Sequence, residues 1–373
     1  MMIRFTLVAM SALISLLMWT KSAAANDELL ERLTLPKGYE ISYFAKNVEN
    51  ARQLAVSSSG VVYAGSRKAG KVYALIDHNQ DGVADRQIVL AKNLNMPSGL
   101  ALYQGDLYVA EVHRIIRFKS IDKQLSKPSF EVVFDNLPTD RHHGWKFIRF
   151  TESGELLVPV GVPCNVCAED EKYGRIFSLN LQSKKLTTVA QGVRNSVGFD
   201  INPQSGALWF SDNGRDMMGD DIPPDEINRV SFDGEHFGFP YVHGGSVLDP
   251  EFAKGKTLAD MQKYTMPKLA LQAHVAPLGI HFYRGKQFAK ALHNRLFVAE
   301  HGSWNRSKKV GYRVMMATIK EGEVAAYEPF ISGFLDKEQT LGRPVAFAEL
   351  VDGSLLVSDD YANAIYRVRY NNK

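Results

Sequence analysis

The chain has 373 residues, 45% of them hydrophobic and 10% aromatic, and its formal charge is only +3. That is ample for a large core, and the near balance excludes net charge as a means of attracting nucleic acid or an anionic membrane surface. At the N-terminus, Arg4 precedes an apolar stretch from Phe5 to Trp19, followed by Lys21-Ser22-Ala23-Ala24-Ala25. A basic start, a short apolar centre and a small-residue end predict a secretory signal peptide over residues 1–25, because a membrane span needs roughly 20 apolar residues. No later run is apolar for long enough to cross a bilayer. Residues 26–373 are expected as one exported domain, periplasmic in a Gram-negative source.

Beyond the signal peptide, one unit recurs six times: a short apolar strand, a turn with Gly, a Leu-x-Val strand, a loop, and a third strand. The copies are 54–76, 98–118, 147–179, 196–230, 278–317 and 345–368. Strand-like pieces such as Glu131–Phe134 and Leu186–Ala190 stand between them as fourth strands. Four strands per unit at this repeat predict an all-β, six-bladed β-propeller of four-stranded antiparallel blades. Tyr39–Phe44 is placed to supply the outer strand of the last blade and close the ring.

A propeller chain enters each blade at its innermost strand. The entry loop and the loop between the second and third strands therefore open on one face. The entry positions include Arg52, Arg141-His142, Arg194-Asn195, His274 and Arg343. The other loops hold Arg67, Glu111, Cys164 to Cys167, Asp212 to Asp216, His301 to Arg306, and Asp359-Asp360. Arginine thus occupies the entry phase in four blades and histidine in a fifth. Converging guanidinium groups repel one another unless an anion lies between them, which predicts a multi-carboxylate ligand on the axis.

The only two cysteines, Cys164 and Cys167, predict a short-loop disulfide in an oxidising compartment, with a redox-active dithiol as the alternative. Haem attachment would need His where Ala168 stands, and no second Cys-x-x-Cys exists to complete a zinc site. Asp77, Asn79, Asp81 and Asp85 are spaced like the first part of a calcium loop, without the closing Glu; the alternative is a polar hairpin turn. The acidic stretch Asp220-Asp221 and Asp225-Glu226 reads as a solvated insertion, with Glu226 supporting the Asp212–Asp216 loop; the alternative is another calcium site.

The segments Arg141-His142-His143-Gly144-Trp145-Lys146-Phe147, Gly192-Val193-Arg194-Asn195-Ser196-Val197-Gly198-Phe199, Ser211-Asp212-Asn213-Gly214-Arg215-Asp216 and Glu300-His301-Gly302-Ser303-Trp304-Asn305-Arg306 closely resemble the glucose/sorbosone dehydrogenase family, on its sorbosone-dehydrogenase-like branch. The resemblance implies a soluble quinoprotein that binds pyrroloquinoline quinone (PQQ), a planar tricarboxylate, together with calcium, and oxidises a sugar or a related alcohol or aldehyde. It places the general base on His142, with His143 as the alternative one residue away. It places PQQ contacts on Arg194, Asn195 and Arg343, and the backbone carbonyls that hold the PQQ-associated calcium on Asn213, Gly214 and Arg215. Arg52, Arg141 and His274 join the cofactor set by their phase, and Arg306 substitutes for a family lysine that this chain lacks. Arg141 stands where the glucose-oxidising branch has Asp, which makes glucose a less fitting substrate.

The implied chemistry needs a base for the hydroxyl proton, a cation to polarise the quinone, and hydride transfer to the cofactor. With no haem motif in the chain, electrons would leave to an external acceptor. The competing readings are a calcium-dependent propeller hydrolase of the lactonase type and a non-catalytic carbohydrate-binding propeller.

Overall fold

The computed structural model describes residues 28–168 and 170–371, so the signal peptide expected over residues 1–25 lies outside the described residues. Six sheets are arranged as the blades of a propeller, five of them with their strands in chain order from the axis outward. Blade 1 is Ala51–Val56, Val62–Ser66, Val72–Ile76 and Arg86–Ala91. Blade 2 is Gly99–Tyr103, Asp106–Ala110, Ile115–Phe118 and Glu131–Phe134. Blade 3 is Arg149–Phe150, Leu156–Val160, Arg175–Leu179 and Leu186–Gln191. Blade 4 is Phe199–Ile201, Leu208–Asp212, Glu226–Arg229 and Leu269–Ala270. Blade 5 is Pro277–Phe282, Leu296–Glu300, Arg313–Lys320 and Glu323–Ile331.

Blade 6 takes its three inner strands, Pro344–Glu349, Leu355–Asp359 and Ala364–Tyr370, from the C-terminus, and its outer strand, Tyr39–Ala45, from the N-terminus. The register Tyr39↔Tyr370 through Ala45↔Ile365 joins the two ends of the chain, as the sequence predicts. Among the described residues no helix is long and apolar enough to cross a membrane.

These strands are apolar on both faces because each blade is covered by its neighbours on both sides. The core accordingly divides into interblade clusters: Tyr63, Val72 and Leu107 between blades 1 and 2, for example, and Trp209, Phe282 and Val298 between blades 4 and 5. Near the axis the inner strands crowd. A Cβ on Gly198 would meet the Leu278 carbonyl at 2.1 Å, and one on Gly279 would meet the Val345 carbonyl at 2.6 Å, so only glycine fits at either place.

Polar side chains fill the axis. The Gln53 carboxamide accepts from the Leu100 and Ile148 amides and donates to the Ile148 carbonyl, stitching blades 1 to 3. At the downstream ends of the inner strands, fully buried Asp200 is held by Arg149 at 2.9 Å and by both terminal nitrogens of Arg284 at 2.8 Å. With this end closed, the open mouth is where the chain enters the blades.

The blade 4 insertion does more than project into solvent. Its segment Glu235–His236 pairs in parallel with the outer strand of blade 3. Asp225 and Glu226 are buried, contrary to the solvated loop expected from their charge, because backbone amides satisfy their carboxylates.

Candidate active site

A cavity of about 410 Å³ opens at the entry face, within the range usual for a small-molecule site. Its walls come from blades 1, 3, 4, 5 and 6, through the two loop classes that the repeat phase brings to that face. Five cationic side chains line it, with three carboxylates.

Blade 3 contributes His143 and Trp145. His142 is exposed and outside the lining, whereas His143 is buried within it; their rings lie 4.1 Å apart. The backbone at His143 is left-handed, with φ of 48°. His143 Nδ1 donates to the Val162 carbonyl at 2.8 Å, which leaves Nε2 as the lone-pair nitrogen of the neutral ring. Burial, then Arg194 and His142, holds the His143 imidazolium well below its ordinary value, so the ring is neutral.

Blade 4 contributes Arg194 and Asn195. The Asp212 carboxylate accepts from both of their backbone amides, at 2.8 and 2.6 Å. Arg194 uses four of its five N–H groups within the protein: on the Asn165 carbonyl and side chain, the Asn213 carbonyl, and Asp216. Asn165 lies between Cys164 and Cys167, which are joined as a disulfide. The four-residue disulfide loop is therefore a bracket for Arg194, and Asn165 also accepts from the Asp216 amide.

Asn213 and Gly214 line the cavity; Arg215 does not, being bound to Asp249 at 2.5 Å. Asp225 buttresses this loop, accepting from the Gly214 amide at 2.6 Å and the Ala276 amide at 2.8 Å. That role was expected of Glu226, which instead accepts from the Gly244 amide and from Asn228. Burial pushes Asp225 up to about 7.

Blades 5, 6 and 1 share a chain of hydrogen bonds. Arg343 donates to His301 Nδ1 at 2.8 Å, so His301 Nε2 carries the proton and donates to Asp360 at 2.8 Å. The other Asp360 oxygen accepts from Arg52 at 2.8 Å. Burial drives His301 down to about 4, so it serves as a neutral relay that orients Arg343. His274 lines the cavity with Nε2 on the Gly219 carbonyl. Arg141 is exposed and bonded to Asn95, and Arg306 binds the Asp220 carbonyl and Asp221; both lie outside the lining.

Arg67 is the exception among the arginines. Its guanidinium stacks 3.7 Å above the Trp145 ring, and its Nε is buried without a partner, as is Trp145 Nε1. Burial and nearby Arg52 lower the Arg67 guanidinium to about 10. Its position was legible in the repeat phase; its lack of a partner was not.

The Asp77–Asp85 loop is the hairpin between the third and fourth strands of blade 1, at the end away from the cavity. Asp77, Asn79, Asp81 and Asp85 each turn an oxygen onto the loop's own backbone amides. Among the described residues no group of three or more His, Cys, Asp or Glu is placed to hold a metal ion.

The profile of the glucose/sorbosone dehydrogenase family matches residues 108–303, more than half of the chain. The chain belongs to the glucose/sorbosone dehydrogenase family. A TrAA12-like profile matches residues 247–371. Among relatives of this glucose/sorbosone dehydrogenase family member, an uncharacterised protein of Borreliella burgdorferi is 38% identical over 362 residues, 93% of each chain. A pyrroloquinoline quinone-dependent sugar dehydrogenase of Hypocrea jecorina is 28% identical over 126 residues, 26% of this chain and 29% of that protein. Two solved structures share the fold. The calcium structure of a Trichoderma reesei carbohydrate-active enzyme of family AA12 has a TM-score of 0.77 at 19% identity, covering 91% of this chain and 97% of that one. The holo PQQ domain of a Coprinopsis cinerea pyranose dehydrogenase has a TM-score of 0.75 at 15% identity, covering 90% and 97%.

Proposed function

We propose that the chain is an exported, sorbosone-like quinoprotein dehydrogenase that binds PQQ with calcium and oxidises a sugar or a sugar-derived alcohol or aldehyde. His143, not His142, is the general base, and an external acceptor takes the electrons. The observation that carries this reading is the His143 tautomer: a neutral imidazole with Nδ1 tied to Val162 and Nε2 left with its lone pair in a cationic cavity.

The donor set suits a planar polycarboxylate. Arg343 is oriented by His301, the Asn195 side chain lines the wall, and one N–H of Arg194 is left over from its protein contacts. Backbone oxygens of the Asn213–Gly214 turn are hard donors of the kind calcium takes. When bound, the quinone accepts the hydride and the cation polarises its carbonyl. His143 Nε2 accepts the substrate hydroxyl proton as the C–H bond is broken. The imidazolium so formed is stabilised by the anionic ligand beside it, and Val162 keeps the ring from turning.

The test is titration of the purified protein with PQQ and calcium, followed by dye reduction with a panel of sugars. Absence of binding at micromolar PQQ rejects the reading. His143→Ala is expected to keep PQQ and lose roughly 10²- to 10⁴-fold in kcat, as for other general bases. His142→Ala should stay near wild type, and full activity in the His143 variant would remove the base assignment.

A further inference from the structure

The charge inside the cavity exceeds what the cofactor would neutralise. Arg52 is paired with Asp360 and Arg194 with Asp216. That leaves Arg67, Lys68 and Arg343 against Asp225 alone, two positive charges in excess. A tricarboxylate arriving with a divalent cation adds one net negative charge, so one positive charge still remains.

The place of the surplus is Arg67. Neither an ion pair nor a hydrogen bond holds its guanidinium within the described protein, and its Nε is buried. The Trp145 indole beneath it fixes the plane of the guanidinium by stacking. Unpaired buried donors are costly in an empty protein and become specific contacts when a ligand supplies the acceptors. Asn50 fixes the backbone of this loop, its side-chain oxygen accepting from the Arg67 main-chain amide at 3.1 Å.

This pair also stands beside the proposed base. The Trp145 ring is edge-on to the His143 ring, with centroids 5.9 Å apart. A substrate carbon being oxidised must place its hydroxyl within hydrogen-bond reach of His143 Nε2. The rest of that molecule then lies against Trp145 and Arg67. A stacked guanidinium offers a planar fork, which suits a carboxylate.

We propose that the substrate is a sugar acid, its carboxylate bound by the Arg67 guanidinium on its Trp145 platform while the hydroxyl to be oxidised faces His143. Arg67 is then the specificity-determining residue. The inference rests on the cofactor reading above for the reaction, but the recognition belongs to this chain's own side chains.

The experiment has two arms. Calorimetry on the protein without added PQQ compares a hexuronate with the corresponding neutral hexose; the acid should bind and the neutral sugar should bind at least tenfold more weakly. With PQQ and calcium added, dye reduction should show the same preference in kcat/KM. Arg67→Met should lower kcat/KM for the acid by roughly tenfold to a hundredfold, the worth of a charged hydrogen bond, and leave the neutral sugar little changed. Arg67→Lys should recover only part, because it restores charge without the fork. Both variants should retain wild-type PQQ affinity by absorbance titration.

Equal binding of acid and neutral sugar overturns the proposal. So does loss of PQQ binding in Arg67→Met, which would hand the residue to the cofactor. A preference for the hexose phosphate over the hexuronate overturns the carboxylate assignment. If PQQ fails to bind but the calorimetric preference holds, the cofactor reading falls and this one stands.

Discussion

Two arginine clusters sit at opposite ends of the same axis, and they differ in whether their charges are answered from within. At the closed end, Asp200 is held by Arg149 and Arg284 and accepts from the Phe282 amide, while Glu349 binds His281 at 2.6 Å. Each of those arginines has a carboxylate partner. At the open end Arg52 and Arg194 are paired, but Arg67 is not, and Trp145 Nε1 lacks an acceptor. The same residue types build a plug in one place and a receptor in the other. What separates them is the unsatisfied donor, since a buried network that is complete within the protein asks for no ligand.

That contrast can be broken by substitution. The largest effect is expected from Asp200→Ala. It leaves two arginines at the closed end and the buried Phe282 amide without their acceptor, and should cost about 1–3 kcal/mol of stability in chemical denaturation. PQQ affinity of the folded fraction should be unchanged; a specific loss of PQQ binding would show that the two clusters are not separate.

Arg343→Ala is expected to act the other way. It should weaken PQQ by roughly tenfold to a hundredfold in an absorbance titration, with little change in stability. Unaltered affinity would remove Arg343 from the cofactor site and leave the His301–Asp360 relay without that role.

The smallest effect is a titration. His143 has its folded value lowered, so its neutral, proton-accepting form persists as pH falls below 6.5 and is lost only through the lowered value. By NMR in the protein without added cofactor, the His143 ring should titrate below 6.5, and PQQ should raise it, because carboxylates favour the imidazolium. A value at or above 6.5 before PQQ is added would contradict the burial that singles His143 out from His142.

Much of this protein was readable from its chain. Six recurring strand units determined the propeller, since blades covered on both faces need apolar strands at a regular repeat, and that periodicity survives in any local context. The repeat phase also determined which loops share a face, which is why Arg52, Arg194, Asn195, His274 and Arg343 were found without coordinates and do line one cavity. What the chain could not state is the direction of a side chain within a loop. His142 and His143 differ by one position, and only the tertiary structure shows that His143 is the buried ring lining the cavity while His142 is exposed. Arg141 and Arg306 share the phase of the lining residues but are drawn away by Asn95 and by Asp220 and Asp221. Nor does a charge declare its partner. Asp225 looks solvated in the sequence and is buried because two amides from distant segments reach it. Arg67 resembles the other arginines until the tertiary structure shows that, among the described residues, its guanidinium has neither a hydrogen bond nor an ion pair, only the Trp145 ring. Pairing is settled by contacts between blades far apart in the chain, and only the closed ring brings those together.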